Sequence, residues 1–335
     1  MNNKSAWDFG TEQLRRAGVV DGRWEAELLL RHVTGLSRVC FLTHPTEELD
    51  EAAAERYRVA IRERSLGVPV QYIVGCTEFY GREFSVDSGV LIPRPDTEIL
   101  VEEALRVIYG DYALQACPRL THVGVNSEVR GVKCEVRGAK CEVRSAKCEV
   151  RSAKCEVDPV PFSLLDLCAG SGCVGLTLAC EVPELNVWLT DVSRAALDVA
   201  QHNAERLGVR GRVEFRQGDL FAAVEGMRFA LIVANPPYIP SKEISSLDAA
   251  VQREPRQALD GGEDGLAFYR RIASDVSGVL RPGGWLLLEI GCTQASAVET
   301  LLRAAHFTEI TVRQDLAGRD RVIRGRTCQG TSLHT

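Results

Sequence analysis

No stretch of this 335-residue chain approaches the ~20 consecutive apolar residues that a membrane-crossing helix requires, so no membrane span is expected. The opening "MNNKSAWDFG" lacks the apolar core of a secretion signal, and a cytoplasmic location is the expectation. Positive charge is not in excess either. The formal net charge is -6, and outside one repeat there is no basic cluster. That balance argues against a protein whose main task is gripping phosphate backbones. Twelve cysteines are present, yet four lie in the repeat. Most of the others sit in apolar segments such as "LLDLCAGSGCVGLTLAC", where buried free thiols are the simpler reading. With 45% hydrophobic residues the chain can fill ordinary cores, and its length allows two domains.

Residues 1 to about 75 carry helical periodicity, as in "RWEAELLLRHVTGL" and "DEAAAERYRVAIRERSLG". "VQYIVGCTEFYGREFSVDSG" alternates around Gly75 and Gly81 and predicts a hairpin linker. Asp96 and Thr97 then offer N-caps for a helix through "EILVEEALRVIYG". The domains expected are therefore a helical one over 1–75, a hairpin linker over 76–92 and a larger domain over 93–327. Within the last, seven predicted strands alternate with helices: "SLLDLC", "NVWLTDV", "RVEFRQGD", "FALIVA", "WLLLEIG", "TEITVRQDL" and "RVIRGR". Such alternation implies an α/β fold with a parallel sheet covered on both faces. The last two strands are too close for a crossover helix, so one of them is antiparallel.

Residues 128–157 interrupt this pattern with a seven-residue unit, "EVRGVKC", repeated four times with a partial fifth, holding eight Lys/Arg against five Glu. A helix would space its cysteines ~10 Å apart and a strand would alternate their faces. Neither suits one tetrahedral ion, and no histidine joins them, so no metal is expected. A coiled-coil arm would need larger apolar residues than Val and Ala over a longer run. The unit reads as a flexible surface insertion, dispensable for chemistry.

Chemistry concentrates at the ends of the predicted strands. Gly170 and Gly172 follow the first strand, where backbone must approach a ligand without a side chain in the way. Asp191 ends the second strand, the usual place for an acid that binds ribose hydroxyls, and Asp219 ends the third. Two plainer readings stand beside these: Asp191 as an N-cap and Asp219 as a turn former. After the fourth strand comes "NPPY", Asn235 to Tyr238. The two prolines end the strand and remove two backbone donors, leaving a rigid turn with one amide side chain and one aromatic.

A Gly-rich first turn, an acid after the second strand, "GD" after the third and "NPPY" after the fourth resemble a Rossmann-like S-adenosylmethionine-dependent methyltransferase. "GVLIPRPDTE", "EPRQALDGGEDGLAFYR", "EIGCTQ" and "DLAGRDRV" narrow the resemblance to the HemK/PrmC family. That family methylates the glutamine of the Gly-Gly-Gln motif in class I peptide release factors. The resemblance spans nearly the whole chain; the repeat departs from it. "CAGSG" also stands where "GTGSG" is commoner, so Cys168 occupies a first-glycine position, from which only a slight change in backbone approach is expected. The resemblance implies S-adenosylmethionine contacts at Cys168, Ala169, Gly170, Ser171, Gly172, Asp191, Asp219, Leu220 and Asn235. It implies catalytic and substrate contacts at Asn235, Pro236, Pro237 and Tyr238.

The chemistry of the turn agrees with that assignment. An amide nitrogen is a poor nucleophile, but its two N–H groups can be held by acceptors. The Asn235 side-chain oxygen and the Pro236 carbonyl would accept one each, while Tyr238 forms a wall that excludes water. For Arg94, Thr97 and Glu98 in "IPRPDTE", helix capping and closure of the site are equally weighted. The rival reading is a nucleic-acid amine methyltransferase, which would need a basic groove and a target-recognition domain. A degenerate binding module of the same fold is the other, against which the intact "NPPY", Asp191 and glycine turn speak. The partners expected are release factors, with no stable nucleic-acid binding.

Overall fold

A computed structural model describes residues 1–116, 133–136, 139–142 and 162–328. The chain divides into two compact units, Met1–Leu105 with Phe162–Thr335, and Arg106–Pro161.

The first unit begins with helices α1 (Asn3–Arg16), α2 (Gly22–Thr34), α3 (Arg38–Thr43), α4 (Glu51–Ser65) and α5 (Val70–Val74). Asn2, Ser37 and Asp50 cap α1, α3 and α4 with side-chain oxygens on free backbone N–H groups. Leu14, Leu29, Leu30, Phe41, Tyr57 and Ile61 bury a common core. A β-carbon at Gly10 would lie 1.9 Å from the Tyr57 hydroxyl; only glycine lets α1 settle over that ring. The hydroxyl donates to the Ala26 carbonyl at 3.2 Å, so the buried phenol is satisfied.

The predicted hairpin starts later than its alternating pattern. Pro69 leads into α5 over "VQYIV", and Gly75 ends that helix in the left-handed region. Strands β1 (Cys76–Phe79) and β2 (Arg82–Ser85) follow. Tyr80 and Gly81 between them have φ of 52° and 69°, the turn geometry that matches strand twist. Asp96 and Thr97 do not cap a helix as expected. Pro95–Thr97 form a 3-10 turn, and α6 (Glu98–Ala116) begins after it. The side chains of 96 and 97 are engaged elsewhere: Asp96 pairs with Arg321 at 3.1 Å.

Within the second unit, β3 (Lys133–Val136) and β4 (Ala139–Glu142) pair antiparallel, with Cys134 opposite Cys141. These eight residues form a short hairpin within the expected insertion. "KCEV" alternates polar and apolar positions, the period of a strand. The remaining repeat residues lie outside the described ones.

The main sheet has seven strands: β5 (Ser163–Leu167), β6 (Asn186–Asp191), β7 (Val213–Gln217), β8 (Phe229–Ala234), β9 (Leu280–Glu289), β10 (Phe307–Gln314) and β11 (Asp320–Thr327). Their spatial order is β10-β11-β9-β8-β5-β6-β7. β5 to β9 pair in parallel, whereas β11 runs antiparallel to both neighbours. This is the expected reversal in the terminal pair. All five residues of β5 are buried, as a strand covered on both faces requires. Helices α7 (Cys173–Glu181), α8 (Arg194–Arg206), α9 (Ala267–Asp275) and α10 (Ala295–Ala304) connect the strands. Tyr269 and Ile272 of α9 and Val298 and Leu302 of α10 pack on Ile232, Leu286 and Leu288. Among the described residues no helix is long and apolar enough to cross a membrane.

Candidate active site

Strand register sets the site. Leu167 pairs with Thr190 on one side and Ala234 on the other, and Ala234 pairs with Leu288. One residue further along each strand stand Cys168, Asp191, Asn235 and Glu289. They form a row across four adjacent carboxyl ends. The connections leave β5 toward β6 on one side while β8 lies on the other, and ligands of open parallel sheets bind at such a switch point.

The turn after β5 is bent by three left-handed residues: Cys168 (φ 59°), Gly170 (φ 55°) and Gly172 (φ 79°). At Gly172 a β-carbon would sit 2.9 Å from Leu176 and Leu189; at Gly170 it would meet nothing within 4 Å. One glycine is demanded by packing, and the other borders open space. Cys168 pays for its side chain in backbone strain, typically about 1–2 kcal/mol for such a residue. Burial pushes its thiol up, away from the thiolate.

Asp191 holds this turn in place. Its Oδ2 accepts from the Gly170 N–H at 2.9 Å and its Oδ1 from the Ser193 N–H at 2.8 Å. Burial raises its pKa and those N–H groups oppose the rise. The N-cap of α8 is Ser193, whose side chain accepts from the Ala196 N–H at 3.2 Å, so Asp191 is not the cap. Behind the turn, buried Asp166 accepts from the Gly175 N–H at 2.8 Å; burial pushes its carboxyl up to about 7. Asp219 pairs with Arg271 at 2.8 Å, both side chains being about half exposed. Leu220 beside it is left-handed, with φ 50°.

A cavity of about 80 Å³ opens over these strand ends. Of the residues expected from sequence, Cys168, Gly170, Asp191, Asp219, Leu220, Asn235 and Pro237 line it. Ala169, Ser171, Gly172, Pro236 and Tyr238 are not on its wall. Sequence reasoning missed two more distant segments of the lining, Gly89 to Leu91 and Pro255, Gln257 and Ala258, together with Phe268. Buried Glu254 ties the first two of these segments together. It accepts from the Ile92 N–H at 3.0 Å and pairs with Arg94.

The turn after β8 is held from behind. Asn235 Nδ2 donates to Thr97 Oγ1 at 3.4 Å. The half-buried Tyr238 points its hydroxyl inward, donating to Glu289 Oε1 at 3.3 Å. The Tyr238 carbonyl accepts from Gln294 Nε2 at 2.9 Å. A β-carbon at Gly261 would lie 2.7 Å from Tyr238 Cα, so the loop that follows packs backbone to backbone on the turn. Burial pushes the Glu289 carboxyl up to about 7, against the Thr97 hydroxyl, the Arg321 charge and the Tyr238 hydroxyl. Glu289 carried a signal that went unread: it ends the apolar run "WLLLE" just as Asp191 ends "NVWLTD". Among the described residues no group of three or more His, Cys, Asp or Glu could hold a metal ion.

Two sequence families match the chain: the PrmC N-terminal domain over residues 5–75 and the methyltransferase small domain over residues 157–290. The release factor glutamine methyltransferase of Moorella thermoacetica is 38% identical over 322 residues, covering 96% of this chain and 97% of that protein. The protein of the same name from Koribacter versatilis is 37% identical over 328 residues, covering 97% and 99%. A solved protein-(glutamine-N5) methyltransferase (release factor-specific) from Alicyclobacillus acidocaldarius is 28% identical, covering 73% of this chain and 99% of that one, with a TM-score of 0.36.

Proposed function

The chain belongs to the release factor glutamine methyltransferase family, and on that premise we propose how its two central turns divide the work. The reaction is methyl transfer from S-adenosylmethionine to the side-chain amide nitrogen of glutamine in the Gly-Gly-Gln motif of class I release factors. The observation that carries the reading is the row of strand ends, which sets Asn235 one strand away from the glycine turn and two from Asp191.

The residues present fit the methyl donor. Gly170 leaves open space where a side chain would intrude, and a carboxylate offers about four lone-pair sites. Asp191 spends two on backbone N–H groups, which leaves two for ribose hydroxyls. Cys168, Asp219 and Leu220 complete the cradle, while Ala169, Ser171 and Gly172 shape the turn behind its wall. When bound, S-adenosylmethionine supplies an electrophilic methyl group on a sulfonium.

The chain's own residues supply orientation. Asn235 Oδ1 and the Pro236 carbonyl accept the two N–H groups of the glutamine amide and aim its nitrogen. Pro236 and Pro237 keep that carbonyl rigid and unpaired, which lowers the entropy lost on alignment. Tyr238, anchored through its hydroxyl, gives the turn a fixed flat neighbour. The proton leaves after transfer, so no strong base is needed. Residues 1–75 recognise the release factor, 76–92 link, 93–327 carry the chemistry, and 128–157 are dispensable to it. The enzyme works in the cytoplasm with its substrate.

Mass spectrometry of a folded release factor incubated with the protein and S-adenosylmethionine tests this. One added methyl on the Gly-Gly-Gln glutamine is expected, with or without residues 128–157. Methylated adenine in DNA and an unmodified release factor would overturn the substrate; loss of methylation on deletion would overturn the dispensability of 128–157.

A further inference from the structure

Glu289 Oε2 is buried without a hydrogen-bond partner, an expensive state for a carboxylate oxygen in the interior. Its other oxygen accepts from Tyr238 at 3.3 Å. Thr97, itself buried, accepts from Asn235 Nδ2 at 3.4 Å and carries one hydroxyl proton of its own. The nearby orphan oxygen is the acceptor that proton lacks.

We propose that Thr97 and Glu289 are positioning residues that orient the Asn235 amide: Asn235 donates to Thr97, Thr97 donates to Glu289 Oε2, and Tyr238 donates to Glu289 Oε1. This rests on the reading of Asn235 as an acceptor for the substrate amide. A threonine hydroxyl has one proton. If Glu289 takes it, Thr97 can only accept from Asn235, and the Asn235 amide must turn its NH2 inward and its oxygen toward the substrate. If Glu289 is protonated, it donates to Thr97 instead. The Thr97 proton is then released toward Asn235, which favours the reversed amide. The same chain that fixes the acceptor thus makes it sensitive to the charge on Glu289.

The groups facing Glu289 set where that happens. Asp96 ahead of α6 opposes ionisation and Arg321 on β11 favours it, with Arg321 shared between Asp96 at 3.1 Å and Asp315 at 3.3 Å. Tyr238, Tyr269 on α9 and Cys173 on α7 complete the surroundings. Burial outweighs the Thr97 and Tyr238 hydroxyls and the Arg321 charge and brings the carboxyl to about 7.

The test is single-turnover methyl transfer to a folded Gly-Gly-Gln release factor at saturating S-adenosylmethionine, with donor affinity measured by calorimetry. Thr97→Val should slow transfer about 10–100-fold, the scale of a misplaced reacting group, with donor affinity unchanged. Thr97→Ser should recover most of the rate. In an Asn235→Ala background Thr97→Val should cost nothing further, since coupled residues are not additive. The wild-type rate should rise with pH through about 7, and the rise should vanish in Thr97→Val and in Glu289→Gln, whose amide donates as the protonated acid does. Should Glu289→Gln fail to fold, the Thr97 series still decides. A wild-type rate in Thr97→Val, beside a slow Asn235→Ala, overturns this inference alone. A pH rise surviving unchanged in Thr97→Val contradicts the relay. A wild-type rate in Asn235→Ala instead overturns the acceptor reading it rests on.

Discussion

The turns after β5 and β8 leave paired strands side by side, one residue beyond Leu167 and Ala234, yet they are built in opposite ways. The first has three residues in the left-handed region and small side chains, and the Asp191 carboxylate beneath it holds the Gly170 N–H. The second has two prolines, no left-handed residue, side chains tied back to Thr97 and Glu289, and the Tyr238 carbonyl held by Gln294. On the function proposed above, one turn removes side chains to admit a bulky ligand, and the other removes freedom so that a small planar group is met at a fixed angle. Room and orientation are separate requirements, and adjacent strands meet them separately.

If that division holds, damage to the first turn should affect folding and donor binding. Gly172→Val is expected to do the most, because a branched side chain there adds left-handed strain to the contacts with Leu176 and Leu189. A loss on the order of 2–4 kcal/mol should appear in urea unfolding, with donor binding abolished; a wild-type midpoint would contradict it. Asp191→Ala should weaken donor affinity by about 1–3 kcal/mol, the usual worth of a charge-assisted hydrogen bond. Its rate at saturating donor should stay near wild type, and calorimetry beside single-turnover kinetics separates the two.

Smaller effects sharpen the comparison, since each turn is backed by a buried acid. Asp166 and Glu289 rise from ordinary values of 3.8 and 4.5 to about 7 in the folded protein. The folded state therefore binds these protons more tightly than the unfolded one. Their contribution to stability is fully present below about pH 4 and is lost as pH rises through about 7. Asp166→Asn and Glu289→Gln should each flatten the fall in melting temperature across that window. An unchanged slope would show the carboxyls to be ionised throughout. Least of all, Cys168→Gly should relieve the left-handed strain at φ 59° and stabilise by up to about 1 kcal/mol after the entropy cost of glycine. A clear loss of stability would mean that the thiol's packing outweighs the strain.

What could be read from sequence follows the same line. Strands β5 to β8 and their terminal residues were legible because apolar runs end abruptly in glycine, aspartate or proline. Asp191, Asp219 and Asn235 were placed by that punctuation alone. Tertiary partners were not legible. Thr97 looked like a cap, but tertiary packing brings it to Asn235 across 138 positions. Glu254 closes the cavity edge from 160 positions beyond Arg94, and no local pattern marks such a pair. Tyr238 read as a wall facing the ligand, whereas its hydroxyl turns inward to Glu289, because a buried acid there needs a donor. In the repeat, low complexity hid the period-two alternation of the eight residues that pair as a hairpin.

The division between the turns is tested most directly by Asn235→Ala, measured in single-turnover methyl transfer to a folded Gly-Gly-Gln release factor at saturating S-adenosylmethionine. The residue follows a core strand within a rigid turn, so its truncation opens no large cavity. The account expects a fall in rate on the order of 10²-fold or more, with donor affinity and melting temperature unchanged. A wild-type rate in that variant would contradict it.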